Sequence, residues 1–290
     1  MSETSRPLVV IGGHEDKEGD RVILKCVAEH VGKGRLVIAT VASHEPDGYF
    51  HAYREAFADL GVTDLVELYV HDRSEALDGR VGSEIVDAAG VFFTGGDQLR
   101  ISSQIGDTPL FNMLHDLHAR GGIIAGTSAG ASVMSETMLV GGPSSESHRV
   151  GDLRIAPGLG LIPGVIIDRH FSERGRIGRL LGAVAQNPRV LGIGIDEDTA
   201  IDLCGSVFRV IGARAVTIVD GAGVTRSNIA EGAPDRTLSI HDVALHILSD
   251  GDEYDLSDRR PRACDAPERE TYDTQMADHI VDNPPRAKRR

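Results

Sequence analysis

The sequence predicts an α/β fold in which helices pack on both faces of a largely parallel sheet. Short apolar runs alternate along the chain with segments whose apolar residues recur at helical spacing, which is typical of strand-helix units. Several of these runs end in glycine-rich turns, as strands do at the carboxyl edge of such a sheet. The chain has 290 residues, of which 41% are hydrophobic. It is therefore long enough to bury one large core.

The first half of the chain consists of regular strand-helix units. Residues 8–11 form an apolar run that leads into Gly12 and Gly13. After this run, apolar periodicity predicts, in chain order, a helix over 20–31, a strand over 36–41, a helix over 47–60, a strand over 65–70, a helix over 82–88, a strand over 90–93, a helix over 109–119 and a strand over 123–125. The last of these strands leads directly into a serine in a tight turn.

The second half of the chain departs from this alternation. The pattern predicts, in order, a strand over 165–168, a helix over 173–186, and strands over 190–195, 199–203, 207–211 and 215–219, the later ones mostly antiparallel. Beyond Gly251 the hydrophobic periodicity gives way to mixed charge and prolines. We therefore expect one domain over residues 1–250 and a charged, poorly ordered tail over 251–290, with at most a short helix at 272–281.

The composition argues against several classes of protein. A formal net charge of −14 disfavours nonspecific binding to nucleic acid and to anionic membranes. No apolar run approaches the roughly 20 residues of a membrane helix and the start is not signal-like, so we expect a cytoplasmic protein. The cysteines, Cys26, Cys204 and Cys264, are far apart and lack CxxC spacing. This spacing argues against a disulfide framework or a structural zinc site, and we interpret them as buried or incidental thiols.

Ser128 is the first candidate for a catalytic nucleophile. It stands in the pentapeptide G-T-S-A-G, between an apolar strand and a run of small residues that can begin a helix. Gly126 and Gly130 leave room for a sharp strand-to-helix turn that exposes the serine hydroxyl. The amides that follow, beginning with that of Ala129, point toward the group under attack and can hold an oxyanion. The pentapeptide alone is equally compatible with a simple glycine-serine turn.

A serine nucleophile needs a base, and His170 is preferred among twelve histidines. It follows the apolar strand G-V-I-I-D, which places it at the same edge of the sheet as Ser128. A carboxylate should orient the imidazole, and the end of another strand supplies Asp196, Glu197 and Asp198. Strand alternation places Glu197 opposite the two aspartates. The spacing leaves open which side faces the base.

Four arginines surround the proposed base in a chain that is otherwise acidic. They are Arg169, Arg174, Arg176 and Arg179. A helical wheel places an apolar stripe that includes Ile177 on the buried side of this helix and leaves Arg176 and Arg179 beside a strip of glycines. Guanidinium groups match carboxylates well. We interpret the four arginines as a binding surface for a substrate that carries several carboxylates.

Four motifs occur in order along the chain. They are FFTGGDQ at 92–98, GTSAGAS around Ser128, D-x-H-F-S-x-R-G-R-x-G-R-L at 168–180 and GIGIDEDTA at 192–200. Together they resemble the cyanophycinases, which belong to a serine peptidase family that also contains aspartyl dipeptidases. The resemblance implies a three-layer α/β sandwich of the class I glutamine amidotransferase type, with serine in place of the cysteine nucleophile. It also implies a homodimer.

The resemblance implies a catalytic triad of Ser128, His170 and Glu197, and so selects one of the three acids. It further implies an oxyanion hole formed by the amide of Ala129 and an amide of the glycine turn in FFTGGDQ, for which we choose Gly96. Glycine is needed there for close approach of the backbone. Acyl transfer through such a triad requires neither a metal ion nor an organic cofactor.

The resemblance also implies a substrate. Cyanophycin is a polyaspartate backbone with arginine attached through each β-carboxyl, so every repeat presents an α-carboxylate and a guanidinium. The residues that match the substrate pocket of the family are Gln98, Asp168, Arg174, Arg176 and Arg179. Before the base, where the family typically has glutamine, this chain has Arg169, whose charge can repel the substrate guanidinium. The implied reaction is hydrolysis of the polymer backbone to β-aspartyl-arginine dipeptides.

Three other functions share part of this pattern. A related peptidase that acts on small aspartyl or isoaspartyl peptides would use the same triad. A lipase-like α/β-hydrolase would share the serine motif but would take its base from near the C-terminus, from His241, His246 or His279. A binding module without activity would keep the serine turn as a ligand cradle. The loop at 13–16, which contains His14 and two acids, is interpreted as a turn and helix cap rather than a metal site.

Overall fold

The structure, a computed structural model, describes residues 6–44, 46–142, 149–151, 153–231 and 236–262. The helices in these ranges are α1 (Val22–Val31), α2 (Pro46–Asp59), α3 (Arg73–Asp78), α4 (Ser83–Val86), α5 (Gln98–Ile105), α6 (Pro109–Ala119), α7 (Ala129–Ser132) and α8 (Ile177–Gln186). The strands are β1 (Pro7–Ile11), β2 (Arg35–Ala39), β3 (Leu65–Leu68), β4 (Ala88–Phe93), β5 (Ile123–Thr127), β6 (Thr137–Gly141), β7 (Arg154–Pro157), β8 (Val165–Arg169), β9 (Leu191–Ile195), β10 (Thr199–Cys204), β11 (Val207–Gly212), β12 (Val216–Asp220), β13 (Arg226–Ser227), β14 (Ile240–His241), β15 (Ala244–Leu248), β16 (Glu253–Asp255) and β17 (Arg260–Arg262).

The main sheet of the described chain is mixed, with the strand order β17-β16-β11-β10-β1-β5-β4-β2-β3. Strands β1, β5, β4, β2 and β3 pair in parallel, each with the next in this order. On the other side of β1, strands β10, β11, β16 and β17 extend the sheet through antiparallel pairs. Strands β1 and β5 are buried along their whole length, which explains why they read as continuous apolar runs. The predicted parallel arrangement is thus present in the half of the sheet that leads to Ser128.

A second sheet, with the order β15-β12-β9-β8, packs on one face of the main sheet. Its inward side chains, among them Ile167 and Ile193, share one core cluster with Val10 of β1 and Leu114 of α6. Helices α1 and α2 cover the other face of the main sheet, where Val27 lies in a separate core cluster. The sequence predicts β8 and β9 but not a sheet of their own. His170 and Glu197 therefore follow strands of a different sheet from the one that leads to Ser128.

The end of the domain lies beyond the predicted boundary. Strand β16 pairs with β11 and β17 pairs with β16, so residues 251–262 continue the main sheet. The ring of Tyr254 is fully buried and stacks on that of Phe208, with ring centroids 5.6 Å apart. The prediction of a poorly ordered tail from residue 251 is therefore wrong for this stretch. Its short strands are rich in charged and turn residues, and a lone tyrosine gives no periodic signal. Residues 263–290, with the helix predicted at 272–281, lie outside the described chain.

Other differences from the predicted elements are local. Helix α8 begins at Ile177 rather than near residue 173, because the chain first turns at Gly175, where φ is 58°. Ile177 at the start of this helix is 40% exposed, not buried as predicted. The short helices α3 and α5 and the hairpin of β6 and β7 are not predicted. No helix in the described ranges combines the length and the apolar character needed to span a bilayer.

Candidate active site

Ser128 occupies a strained turn between β5 and α7. Its backbone has a φ of 53° and a ψ of −107°, which a residue with a side chain rarely adopts. The two flanking glycines are required by close packing. A Cβ on Gly126 would lie 2.6 Å from the carbonyl oxygen of Gly130, and a Cβ on Gly130 would lie 2.4 Å from that of Phe93. The sequence motif thus forms the strand-to-helix turn that it predicts.

The end of β1 holds the three segments of the site together. The carbonyl of Ile11 accepts a hydrogen bond from the amide of Ser128 at 3.0 Å, and the carbonyl of Gly12 accepts one from the amide of His170 at 3.0 Å. The next carbonyl, that of Gly13, accepts one from the amide of Asp198 at 2.8 Å. Three successive carbonyls therefore fix the loops of the serine, the histidine and the acidic segment. The glycines allow the chain to turn there without side chains in the way.

The side chains of Ser128, His170 and Glu197 form a continuous hydrogen-bonded chain. Ser128 Oγ lies 2.9 Å from His170 Nε2, and His170 Nδ1 lies 2.7 Å from Glu197 Oε1. The neighbouring acids are used elsewhere: Asp196 accepts from backbone amides of two adjacent loops, and Asp198 accepts from the amide at the start of the 16–21 turn. Of the three acids left open by the strand pattern, Glu197 is the one that contacts the imidazole.

The protonation states suit a neutral base held by an ionised acid. Burial lowers the pKa of His170; the hydrogen bond to Glu197 opposes this effect, and the nearby Arg174 and Arg169 add to it. Its pKa therefore lies below the ordinary value. Burial opposes ionisation of Glu197, but hydrogen bonds from His170 and His14 outweigh it and leave the pKa of this carboxyl lowered. At neutral pH, His170 Nε2 can thus accept the proton of the serine hydroxyl.

His14 is a second contact of Glu197 that the sequence does not predict. Its Nδ1 lies 3.0 Å from Glu197 Oε2, and its ring is T-shaped to that of His170 with centroids 5.1 Å apart. The adjacent Gly13 lets His170 approach, because a Cβ at Gly13 would lie 2.3 Å from His170 Cε1. The available signal was the position of the loop directly after β1, at the carboxyl edge of the sheet. The ligand atoms of His14, His170 and Glu197 lie within 4.8 Å of one another, and both imidazoles contact the carboxylate.

The remaining acids of this loop have structural contacts. Glu15 is buried and accepts hydrogen bonds from the hydroxyls of Tyr53 and Thr127, the residue before the nucleophile. The side chain of Asp16 accepts from three backbone amides of the turn before α1, which lowers its pKa to about 2. The predicted turn role therefore holds, although no side chain caps α1 itself.

The glycine turn after β4 lies against Ser128. A Cβ on Gly95 would lie 3.5 Å from the Cβ of Ser128, and one on Gly96, whose φ is 139°, would lie 2.4 Å from the carbonyl oxygen of Ala42. The amide of Asp97 donates to that same carbonyl, so it is not available to an oxyanion. As the first residue of α7, Ala129 has no acceptor within its helix for its N–H. The amides of Ala129 and Gly96 remain the predicted donors of the oxyanion hole.

Arg169 contacts Ser128, the candidate nucleophile, directly. Its Nε donates to Ser128 Oγ at 3.1 Å and its Nη2 donates to Gln98 Oε1 at 2.9 Å. The amide of Gln98 in turn donates to the carbonyl of Leu139 at 3.0 Å. Arg169 is only 8% exposed, and burial, followed by repulsion from Arg176, lowers the pKa of its guanidinium to about 10. It remains charged at neutral pH, and both of its side-chain acceptors are neutral.

The other predicted substrate residues divide into a buried set and an exposed one. The carboxylate of Asp168 is fully buried and accepts from Arg176 Nη1 at 3.1 Å and from Arg179 Nε at 2.5 Å. Arg176 Nη1 also donates to the carbonyl of Arg169 at 2.5 Å. These three side chains pair with one another and are not free to make the contact with substrate that was predicted for them. Instead, Arg176 supports the backbone of Arg169. Arg174 is exposed, four residues after the base.

A cleft of about 640 Å³ adjoins this region, with Lys17, Ser43, Tyr49 and Tyr53 in its walls. Ser43 follows Ala42, whose carbonyl oxygen packs against Gly96 in the glycine turn beside Ser128. The hydroxyls of Tyr53 and of Thr127, at the end of β5, both donate to Glu15, which links Tyr53 to the strand before Ser128. Lys17 lies over the ring of Tyr53, 4.8 Å from its centroid. Tyr49 offers an exposed ring to this cleft, whereas Tyr53 is buried and the Lys17 ammonium lies 3.4 Å from the carboxylate of Glu15.

The lipase-like arrangement finds no support in the described chain. The ring of His241 contacts the hydroxyl of Ser239, and the ring of His246 lies 5.7 Å from that of Tyr254. His170, by contrast, is hydrogen-bonded to Ser128, and it precedes the acid in the sequence. The third histidine considered for that arrangement, at position 279, lies outside the described residues.

An α/β fold in which a serine, a histidine and a glutamate are joined by hydrogen bonds is typical of serine hydrolases. The sequence model of Peptidase family S51 matches residues 8–211 of the chain. The chain therefore belongs to Peptidase family S51, and it is a serine peptidase homologous to the cyanophycinases.

Individual relatives agree with this assignment. The chain is 40% identical over 253 residues to the cyanophycinase of Thermosynechococcus vestitus, and the match covers 86% of this chain and 79% of the relative. It is 40% identical over 260 residues to the cyanophycinase of Geminocystis herdmanii, with 88% and 96% covered. A solved peptidase from an acI-B1 Actinobacterium shares the fold, with a TM-score of 0.59 at 24% identity over 83% of this chain and 98% of that one.

Proposed function

We propose that this protein is a serine-type exopeptidase that hydrolyses cyanophycin to β-aspartyl-arginine dipeptides, with Ser128, His170 and Glu197 as its triad. The observation that carries the proposal is the hydrogen-bonded chain from Glu197 through His170 to Ser128 Oγ. It occurs in a chain that is 40% identical to curated cyanophycinases. Its parts suit the roles that acyl transfer requires: an orienting acid, a neutral base and a partly accessible hydroxyl.

In the first half of the reaction, Ser128 Oγ attacks the carbonyl carbon of an α-peptide bond in the polyaspartate backbone. The hydroxyl proton passes to His170 Nε2 as the Oγ–C bond forms. Glu197 stabilises the resulting imidazolium through Nδ1. His170 then gives the proton to the leaving nitrogen, the C–N bond breaks, and an acyl-enzyme on Ser128 remains. The amides of Ala129 and Gly96 hold the negative charge that develops on the carbonyl oxygen.

In the second half, water replaces the leaving amine. His170 Nε2 takes a proton from the water as its oxygen attacks the acyl carbon, and the same proton returns to Ser128 Oγ as the ester bond breaks. The product leaves with a free carboxylate. Protons and electrons balance within the triad, the peptide and one water molecule.

Recognition of the polymer would use cations near the serine. Arg174, close to the base, can bind the α-carboxylate of an attached arginine. In the cleft, the exposed ring of Tyr49 offers a flat surface for a guanidinium group, and Lys17, which is paired with Glu15, adds a cation to the wall. The buried Asp168 does not take part directly, because both of its oxygens already accept from arginines.

The contact between Arg169 and Ser128 favours a second candidate, a peptidase for small aspartyl or isoaspartyl peptides. A buried cation with only neutral partners is a site for an anion. In an aspartyl peptide the free carboxylate belongs to the residue beside the scissile bond, within reach of Arg169. In cyanophycin that carboxyl is an amide, and the nearest free carboxylate lies one amino acid further away. The two candidates share the chemistry and differ in the group that Arg169 meets.

Two measurements test the proposal. The first is labelling with a fluorophosphonate, which should modify Ser128 in the wild type and in Ser103→Ala, a control on α5, but not in Ser128→Ala. Absence of labelling in the folded wild type would favour the binding module. The second is the ratio of kcat/KM for cyanophycin to kcat/KM for α-aspartyl and β-aspartyl dipeptides. If kcat/KM is higher for the dipeptides than for cyanophycin, the small peptides and not the polymer are the preferred substrate.

A further inference from the structure

A cluster of three metal-ligating side chains lies between α1 and β10, apart from the triad. Cys26 and His30 are four residues apart on α1, so they share one face of the helix, and Asp202 projects from the adjacent strand. Cys26 Sγ lies 3.5 Å from Asp202 Oδ2, and His30 Nε2 lies 3.0 Å from Asp202 Oδ1. All three ligand atoms lie within 4.8 Å of one another.

These separations suit one small cation. Tetrahedral zinc with Zn–S of about 2.3 Å and Zn–N or Zn–O of about 2.1 Å keeps its ligand atoms about 3.3–3.6 Å apart. The sulfur and the nitrogen lie 3.5 Å and 3.0 Å from the two different oxygens of Asp202, so side-chain rotations are needed to bring one of these oxygens to both edges. A set of one sulfur, one imidazole nitrogen and one carboxylate selects a zinc-class ion over Ca²⁺ or Mg²⁺, which prefer oxygen ligands alone.

The surroundings also favour a cation. Once the thiol proton is displaced, a thiolate and a carboxylate together supply two negative charges, which match a divalent ion. The thiol is partly buried, whereas His30 and Asp202 keep 29% and 28% of their side chains exposed. An ion can therefore enter from solvent, and a water molecule can complete its coordination.

We propose that Cys26, His30 and Asp202 form a binding site for a zinc-class divalent cation that joins α1 to β10. On binding, the thiol proton is released to solvent, Sγ and the lone pair of His30 Nε2 bind the ion, and a carboxylate oxygen of Asp202 is the third protein ligand. The ion would fix α1 against the strand that starts two residues after Glu197. The site is structural, and hydrolysis by the triad does not depend on it.

Titration of the metal-free full-length protein with Co²⁺ tests the site, because a cobalt–thiolate bond gives a charge-transfer band that nitrogen and oxygen ligands do not. We expect the band to saturate at one Co²⁺ per chain and to vanish when Zn²⁺ is added. It should be lost in Cys26→Ser and persist in Cys204→Ser. Because second-shell changes alone cost about 10–100-fold in metal affinity, His30→Gln and Asp202→Asn should each weaken binding by at least about 100-fold.

The controls separate this site from others. Cys26→Ser should keep wild-type fluorophosphonate labelling of Ser128, which shows that the variant is folded and that the triad does not use the ion. His14→Ala should leave the cobalt band unchanged, because any ion held beside the triad lacks a sulfur ligand. Saturating Zn²⁺ should raise the Tm of the wild type but not that of Cys26→Ser. Absence of the band in the wild type, or its persistence in Cys26→Ser, would overturn the proposal.

Discussion

The guanidinium of Arg169 donates a hydrogen bond from Nε to Ser128 Oγ over 3.1 Å, so a permanent cation touches the atom that the mechanism uses as nucleophile. Its other side-chain contact is the neutral amide oxygen of Gln98. The charge of Asp168 is shared by Arg176 and Arg179, and Arg169 thus lacks a carboxylate partner among the described residues. A substrate carboxylate would supply the missing anion.

Replacement of Arg169 should change the choice of substrate. In Arg169→Gln we expect kcat/KM for aspartyl dipeptides to fall about 10–100-fold, since a charge-assisted hydrogen bond contributes about 1.5–3 kcal/mol. The same variant should gain activity on cyanophycin, because the charge beside the polymer guanidinium is removed. Steady-state kinetics with both substrates measures the two effects. Parallel losses on both would mean that Arg169 serves the nucleophile rather than the substrate.

The pH dependence of kcat/KM should reflect a depressed histidine. Because the pKa of His170 lies below its ordinary value, activity should persist below pH about 6.5 and fall only as the imidazole becomes protonated at lower pH. Glu197→Gln removes the interaction that raises this pKa, so the acid limb should move to still lower pH. The kcat of this variant should also drop by about 10²–10⁴-fold. An acid limb that shifts upward would contradict the assigned relay.

The buried carboxylate of Asp168 should matter for stability. Asp168→Asn leaves Arg176 and Arg179 without their counter-charge, and loss of one partner of a buried ion pair costs about 3–5 kcal/mol. Urea unfolding measures this change in the free energy of unfolding. Asp64→Asn, which breaks an exposed pair with Arg35, is the matched control and should change it little. Equal effects of the two substitutions would show that the buried cluster is not specially stabilising.

A methyl group at Gly13 should disable the base without unfolding the protein. The Cβ of Gly13→Ala would meet His170 Cε1 at 2.3 Å and displace the ring, and a shift near 1 Å can cost about 10²-fold in rate. Gly32→Ala is the control, since Gly32 also has positive φ, 59°, but its Cβ would meet no atom within 4 Å. We expect kcat to fall in the first variant and stay near wild type in the second. Equal kcat values in the two variants would show that the backbone at Gly13 does not constrain the position of the His170 ring.

The sequence predicts the elements of the site better than their arrangement. Ser128, His170 and the acids at 196–198 each follow a buried strand, and such runs are visible from periodicity alone. Their assembly depends on carbonyls at the end of β1, which accept from all three segments and leave no pattern in the sequence. The sequence does not predict the second sheet for a similar reason: the apolar runs of β8 and β9 indicate two strands but carry no information about which strands they pair with.

The arginines show the limit of reading charge from a helical wheel. Arg176 and Arg179 are only 6% exposed, although their side of the helix was expected to face substrate. What draws them inward is Asp168, a carboxylate at the end of β8 that the wheel does not include. The contact of Cys26 with Asp202, 176 residues away in sequence, is likewise a product of the fold, so cysteine spacing could not reveal it.

The most direct test of the proposed function is incubation of the protein with insoluble cyanophycin, followed by mass spectrometry of the soluble products. Ser128→Ala and Ser103→Ala are treated in parallel. We predict that the wild type and Ser103→Ala clear the suspension and release β-aspartyl-arginine, whereas Ser128→Ala releases none. Release by Ser128→Ala at the wild-type rate would remove the serine from the mechanism. No release by a wild-type protein that still reacts with fluorophosphonate would contradict cyanophycin as the substrate.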